Sequence, residues 1–262
     1  ATSNKISRKI KLYQASNGTI LSSIPFLETD VITDDIVSVA FSSNSRYIGA
    51  GVGNKSLIWD LKRRNLKCSF KHDTIVSSMT YFQDNRVLSG DISGSIKLWD
   101  MKSNESIAQT DKILTSPIHM IKICNKYPNN MICSRNDGSI QVYDIHNSCS
   151  MLRNMQIYTP NTNTNTNGLV GLSLSPRNSK LLTTISGDGT ISLIDTSAGG
   201  NTINPQQYRP SAIINPNTSG ASGTSQSKPT SISCHENGFH FAVGTTDGNM
   251  VIYDWRHATE PV

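Results

Sequence analysis

The residues of this 262-residue sequence that could do chemistry are few and widely spaced. A zinc site or a disulfide framework needs cysteines at paired spacings such as C-x-x-C. The sequence has five cysteines, an odd number, and no C-x-x-C pair; they are Cys68, Cys124, Cys133, Cys149 and Cys234. We therefore expect buried thiols and no metal site.

Motifs of catalysis are missing from the sequence. It contains no G-x-x-x-x-G-K-[ST] phosphate loop, no G-x-S-x-G elbow and no H-E-x-x-H pair. The Gly-rich stretch "SGDGT" (186–190) looks like a phosphate loop, but it coincides with a repeated turn. The carboxylates are sparse and fall mainly in turns. We expect no enzymatic activity and no cofactor.

One cluster of basic residues is dense enough to suggest binding, and it consists of Lys62, Arg63, Arg64 and Lys67. Adjacent cations of this kind can bind an acidic segment of a partner protein. The alternative interpretation is a solvated turn that aids solubility. The formal net charge of +5 and the pI of about 8.9 are too mild for a nucleic-acid-binding protein. The sequence has no apolar run long enough to cross a membrane.

The elements that would position these residues come from an internal repeat. Five segments end in an aromatic residue or Ile followed by Asp: "GVGNKSLIWDL" (51–61), "SGDISGSIKLWDM" (89–101), "SRNDGSIQVYDI" (134–145), "SGDGTISLIDT" (186–196) and "GTTDGNMVIYDW" (244–255). The successive Asp residues are 40, 44, 51 and 59 positions apart, and a weaker member, "RKIKLYQ" (8–14), precedes them. A period slightly above about 40 residues is that of a four-stranded propeller blade.

Each repeat divides into four predicted strands. An alternating run such as "VSSMTY" (76–81) precedes a short apolar segment such as "RVLSG" (86–90). A turn rich in Asp, Asn and Gly, which tolerate positive φ, leads into the strand ending in Asp. A variable fourth strand such as "KCSF" (67–70) closes the repeat. We predict an all-β protein with very little helix.

These motifs resemble the WD-repeat (WD40) β-propeller family along nearly the whole chain. In that family a His, a Ser or Thr, a turn Asp and a Trp form a hydrogen-bonded network in each blade. The resemblance assigns this structural role to His72, Ser89, Trp99, Trp59, Asp137, Asp188 and Asp247. Ser93 stands where that family usually has the turn Asp, and the other repeats lack the His.

The domain prediction is a single β-propeller over residues 1–262, interrupted by low-complexity loops at 161–168 and 197–230. Within the second loop, "SAIINP" (211–216) is apolar enough to add an outer strand. The first repeat lacks its inner strand and the last its outer strand. We therefore expect about six blades of a seven-bladed ring, in a fragment of a longer protein.

Three segments resemble one branch of this family, the centrosomal and spindle-associated subunit that recruits the gamma-tubulin ring complex, plant-type members most of all. They are residues 42–67, 173–195 and 241–262, the last with its Y-D-x-R followed by Pro-Val. The resemblance implies a targeting propeller whose partners are microtubules or spindle-pole components. It also implies that the gamma-tubulin complex binds a helical region outside this sequence.

The alternative hypothesis is a generic WD-repeat module of another assembly, such as a ubiquitin-ligase substrate receptor or a subunit of an RNA-processing complex. Both hypotheses describe a non-catalytic scaffold that binds proteins. The first predicts a cytoplasmic protein at centrosomes, spindle poles or the cytoskeleton.

Overall fold

The computed structural model describes residues 8–25, 32, 34–83, 85–110, 116–124, 129–157, 168–177, 181–195, 212–214 and 228–254. These residues form 21 β-strands and no helix. Every sheet is built from antiparallel neighbours in sequence order. The chain divides into two compact units, Ala1–Gln109 and Thr110–Val262.

The first unit contains three sheets. A two-stranded sheet comprises β1 (Ile10–Tyr13) and β2 (Ile20–Ile24). The first four-stranded sheet comprises β3 (Ile36–Phe41), β4 (Tyr47–Val52), β5 (Lys55–Asp60) and β6 (Asn65–Lys71). The second comprises β7 (Val76–Phe82), β8 (Arg86–Asp91), β9 (Ile96–Asp100) and β10 (Glu105–Gln109).

The second unit also contains three sheets. The first comprises β11 (Ile118–Ile123), β12 (Asn130–Arg135), β13 (Ser139–Asp144) and β14 (Ser150–Gln156). The next comprises β15 (Leu169–Leu174), β16 (Leu181–Ser186), β17 (Ile191–Asp195) and β18 (Ala212–Ile214). The described residues of the last are β19 (Pro229–Cys234), β20 (His240–Thr245) and β21 (Met250–Asp254).

The predicted fold class is confirmed: the described chain is all-β, and four of its six sheets are four-stranded with their strands in blade order. The outer strand expected within 211–216 is β18, which pairs with β17. The predicted loops at 161–168 and 197–230 lie outside the described residues, apart from Gly168, β18 and residues 228–230. A single propeller domain over 1–262 stays a prediction.

Period-2 alternation places apolar side chains on both faces of the central strands. Consecutive residues of β5 show this directly. Trp59 packs with Ile32 and Ile48 on one face, whereas Ile58 packs with Phe70 on the other. The sheet β3–β6 therefore lies between two apolar layers, and most residues of its outer strand β6 are exposed to solvent.

Bulges recur at two fixed places in the sheets, and the repeat pattern did not predict them. Each described inner strand carries an extra residue opposite the end of the second strand of its repeat. Four outer strands also carry an extra residue, beside the aromatic residue of the third strand. A bulge adds an unpaired residue and increases the local twist. The extra residues are Val37, Ser77, His119, Val170 and Thr230 in inner strands, and Leu21, Lys67, Ile107 and Leu152 in outer strands.

Candidate functional site

The sheet β7–β10 contains a buried chain of four polar side chains. The indole N–H of Trp99 donates to Ser89 Oγ at 2.8 Å, and Ser89 Oγ lies 2.6 Å from His72 Nε2. The other ring nitrogen, His72 Nδ1, lies 3.0 Å from Asp91 Oδ2. The structure thus brings His72, Ser89 and Trp99 together, and it adds Asp91, which the sequence pattern did not identify.

Asp91 enters the network because a hydroxyl and a carboxylate have exchanged places. In the later turns Ser186 donates its hydroxyl to Asp188, and Thr245 donates to Asp247, two residues on in each case. In β7–β10 the order is reversed, and Ser93 Oγ donates back to Asp91 Oδ1 at 2.6 Å. A search for an Asp paired with Ser or Thr at i and i+2 in either order would have found it.

The hydrogen bonds around Asp91 hold its carboxylate in the charged form. Burial alone would raise its pKa, but the bonds from His72 and Ser93, together with the Ser95 amide, lower the pKa to about 2. The exchange of Asp91 and Ser93 also lets one carboxylate make two kinds of contact. Its Oδ1 caps the turn, and its Oδ2 remains available for His72. One carboxylate therefore joins the turn to the core of the sheet.

Ser89, His72 and Asp91 are the residue types of a hydrolase triad, but their burial excludes that chemistry. Ser89 and Asp91 have no exposed surface and His72 is 1% exposed. A nucleophile needs a path for its substrate, and the Ser89 oxygen is already bound by Trp99 on one side and His72 on the other. The network is structural.

The sheet β3–β6 replaces this polar network with apolar contacts. Ile32 precedes Trp59 by the same interval that separates His72 from Trp99, and it packs in the cluster around Trp59. The strand register puts Ala50 in the place of Ser89, and Ala50 is buried in the same cluster as Trp59. A methyl group thus stands where β7–β10 has the Ser89 hydroxyl.

The sheet β11–β14 contains a different buried network. Arg135, which is 1% exposed, stands at the position of Asp91. Its Nε donates to Gln141 Oε1 at 2.5 Å, and the Tyr143 hydroxyl donates to the same oxygen at 2.6 Å. Asp137 is not part of this network; its Oδ1 accepts from the amide and hydroxyl of Ser139 and so caps the turn.

The last two sheets keep only the turn. Asp188 Oδ1 accepts from the Thr190 amide at 2.9 Å, and Asp247 caps its own turn in the same way. Thr184 matches Ser89 in position, but Ile194 replaces the Trp and has no N–H to donate. The buried Thr184 Oγ1 accordingly has no partner among the described residues.

The second candidate site is the basic hairpin, defined as residues 55–71 of β5, β6 and their turn. Asp60 Oδ1 accepts from the backbone amides of Lys62 and Arg63, both at 3.0 Å. Arg46 donates to Oδ2 from Nε and Nη2. Burial opposes these bonds, yet they leave the pKa of Asp60 below its ordinary value. The Asp60 carboxylate therefore caps the turn, while its cationic side chains are exposed.

The charge of the protein is concentrated in the basic hairpin. It holds six cations against the single carboxylate Asp60, a net formal charge of +5, which equals that of the whole chain. All six residues are exposed, and none forms a salt bridge with another described residue. They are Lys55, Lys62, Arg63, Arg64, Lys67 and Lys71.

None of the five cysteines forms a disulfide; four of them are buried and Cys234 is half-buried. Burial raises the pKa of both Cys133 and Cys149 to about 11, so neither is a reactive thiolate. Among the described residues no group of three His, Cys, Asp or Glu side chains could hold a metal ion. No helix in the described part of the chain could span a membrane.

Comparison with known families identifies one repeat directly. The model of the family "WD domain, G-beta repeat" matches residues 64–100. This segment runs from the turn of the basic hairpin through β9, and it contains His72, Ser89, Asp91 and Trp99. The chain therefore carries a WD40 repeat, and its other four-stranded sheets follow the same strand order.

Similar proteins include the target of rapamycin complex subunit LST8. The chain is 26% identical to that of Bos taurus over 102 residues, which is 37% of this chain and 31% of the relative. It is 28% identical to that of Mus musculus over 99 residues, or 35% and 30% of the two chains. The WD repeat-containing protein 44 of Xenopus laevis is 26% identical over 101 residues, or 36% and 11%. The matches span less than a third of each relative's length.

Proposed function

We propose that this chain, an all-β protein with a WD40 repeat, is a non-catalytic scaffold whose basic hairpin binds an acidic segment of a partner protein. The observation that carries the proposal is the concentration of the entire net charge in one hairpin whose six cations have no salt-bridge partner in the described structure. A turn that serves only solubility would not need this excess of positive charge, because scattered charges of both signs make a protein equally soluble.

The finer proposal is an adaptor that recruits gamma-tubulin ring complexes to spindle poles or microtubules. Its support is the resemblance of residues 42–67, 173–195 and 241–262 to that branch of the WD-repeat proteins. The first of these segments includes Lys62, Arg63, Arg64 and Lys67. In this proposal the chain is the targeting part, located in the cytoplasm at centrosomes and on the spindle, within one propeller domain.

A second candidate is a WD-repeat module of another assembly, such as a ubiquitin-ligase receptor or an RNA-processing complex. The name of one relative favours a role inside a complex, since LST8 is a subunit of the target of rapamycin complex. Both candidates use the fold as a rigid platform with variable loops, and they differ in the partner.

The test is the location of the tagged protein in dividing cells, imaged together with gamma-tubulin. Signal at spindle poles, with gamma-tubulin lost when the protein is depleted, supports the adaptor. A variant with Lys62→Glu, Arg63→Glu and Arg64→Glu should lose this location because its turn becomes acidic.

The control carries Lys102→Glu and Ser103→Glu in the equivalent turn after β9, where Asp100 Oδ1 likewise accepts from the Lys102 amide. The control should keep the wild-type location. Diffuse signal with gamma-tubulin undisturbed would exclude the adaptor and favour the second candidate. If the charge reversal left both location and co-purified proteins unchanged, the basic hairpin would not be a binding site.

A further inference from the structure

The outer strand of the basic hairpin has an open edge. Strand β6 stands last in the order β3-β4-β5-β6, and no described strand pairs with its outer side. It is seven residues long, against five for the outer strand β10 of the next sheet. An open edge offers backbone N–H and C=O groups to another extended chain.

The hydrogen-bond register shows which backbone groups of β6 point outwards. Opposed residues of an antiparallel pair alternate between hydrogen-bonded and non-hydrogen-bonded pairs. The His72 amide donates to Asn54 O at 2.8 Å, and the same register pairs Phe70 with Ser56. The N–H and C=O of Phe70 therefore face β5, whereas those of Ser69 and Lys71 face the open edge.

The same register places two lysines at closest approach. Lys71 lies directly opposite Lys55 in a non-hydrogen-bonded pair, the kind in which the side chains come nearer to each other. Both are exposed and neither has a carboxylate partner among the described residues. Like charges directly opposite destabilise a sheet. An acidic side chain in the next strand position would compensate this pair.

The two faces of the edge differ in character. Phe70 stacks on Trp99, with ring centroids 5.0 Å apart, and Cys68 is buried beside it. Ser69 and Lys71 lie on the opposite, solvent-exposed side. An added strand would thus place alternate residues on the side of the buried Phe70 and Cys68 and on the side of the exposed Ser69 and Lys71.

Building on the proposed function, we propose that β6 is a docking strand for an extended acidic segment of a partner protein. The segment adds to the sheet through backbone hydrogen bonds to Ser69 and Lys71. It carries an acidic residue facing Lys55 and Lys71, and further acidic residues beyond the Lys67 bulge, facing Lys67 and Arg64. Small apolar residues occupy the alternate positions.

Charge also disfavours the commonest competitor for an open edge, a second copy of the same strand. Two β6 strands side by side would oppose Lys67 and Lys71 with more lysines, and lysines on edges are a known device against such pairing. The other outer strands lack this pattern, since β10 carries one Glu and β14 one Arg. The selectivity for an acidic strand therefore belongs to β6.

The test uses a synthetic peptide, acetyl-Glu-Glu-Val-Thr-Val-Glu-Glu-amide, whose symmetry lets it bind in either direction. Binding to the protein is measured by titration, and amide hydrogen exchange is followed by NMR. We expect the Ser69 and Lys71 amides to exchange at least about tenfold more slowly with saturating peptide, with the Phe70 amide unchanged. Lys71→Glu should weaken binding by about tenfold or more, whereas Lys102→Glu should not.

The decisive control is the same peptide with N-methyl groups on both valines and on the threonine between them, which keeps its charge and blocks strand pairing along both of its edges. Equal binding of both peptides, or no protection of Ser69 and Lys71, would overturn strand addition and leave the proposed function standing as a side-chain interaction. A dimer that protects the same amides without peptide would assign the edge to a second copy and overturn the proposal. Loss of the wild-type location only in the charge-reversed turn variant would still support the proposed function.

Discussion

At the scale of single residues, the molecule shows how one exchange of position preserves a network. Asp91 and Ser93 have swapped the places that Ser and Asp hold in the turn of residues 186–190. Hydrogen bonding depends on which atoms meet and not on their order in the chain, so the turn survives the swap. The reversed order lets the carboxylate reach His72 as well.

The lowered pKa of Asp91 predicts an acid-sensitive contribution to stability. Its folded pKa of about 2 lies below the unfolded value of about 3.9. The contribution, about 2 kcal/mol, is complete above the unfolded value and is lost as pH falls from about 4 towards 2. The free energy of unfolding, measured in urea at several pH values, should therefore differ between wild type and Asp91→Asn, and this difference should become smaller below pH of about 4. Parallel curves for wild type and Asp91→Asn would contradict the assignment.

The two tryptophans of the first unit predict different costs for one substitution. Trp99→Phe removes the donor to Ser89 Oγ and part of the stack on Phe70, so a buried hydroxyl loses a partner. We expect a loss of about 2–3 kcal/mol in the free energy of unfolding. Trp59→Phe removes the same atoms from an apolar cluster and should cost less, about 1–2 kcal/mol. Equal losses in the free energy of unfolding, measured by urea denaturation, would mean that the hydrogen bonds of the network add no stability beyond that of packing.

At the scale of elements, the sheets share a strand order but differ in what holds them together. β7–β10 uses a polar chain ending in Asp91, β3–β6 an apolar cluster around Trp59, and β11–β14 the buried Arg135 with Gln141. Hydrogen-bonded strands with apolar faces tolerate each solution, because burial supplies most of the stabilisation. The bulges recur at the same places in every kind of sheet.

The pairing of Lys55 with Lys71 predicts a gain in stability from a substitution that weakens binding. Lys71→Glu converts a like-charge pair into an opposite-charge pair, and we expect the free energy of unfolding to rise by about 0.3–1 kcal/mol at low salt. Lys67→Glu is the matched control, because Lys67 is the bulge residue and faces no partner in β5. A gain at Lys67 equal to that at Lys71 would show that general charge, and not the cross-strand pair, is responsible.

At the scale of the whole molecule, charge is the property that distinguishes one surface. The basic hairpin carries a net charge equal to that of the entire chain, so all other charged residues cancel. Long-range attraction of an acidic partner would therefore be directed towards this hairpin. The described residues contain no comparable concentration of unpaired cations.

This concentration predicts a strong dependence of partner binding on salt. Screening shortens the reach of exposed charges to about 10 Å at 0.1 M ionic strength, so affinity for the acidic peptide should fall as NaCl rises. The variant with Lys62→Glu, Arg63→Glu and Arg64→Glu should bind the acidic peptide weakly, and its affinity should depend little on salt. The Lys102→Glu, Ser103→Glu control should keep the wild-type slope. Salt-independent binding by the wild type would point to an apolar site elsewhere.

The sequence alone determined the strands, their order and the turns between them. Alternation of apolar residues, positive-φ turn residues and a repeat near 40 positions are local properties, so the all-β class and even the short strand β18 could be predicted from them. The basic cluster and the set His72, Ser89 and Trp99 were also visible as residue types at repeated positions.

Only the tertiary structure decided what these residues do. The contact between Asp91 and His72 joins positions 19 apart in the sequence. The burial that keeps any substrate away from Ser89 depends on neighbouring strands. The bulges fix which amides of β6 face outwards and set Lys71 against Lys55. Such features arise from register and from packing between strands, where many distant residues act together, whereas periodicity records only the preference of each segment by itself.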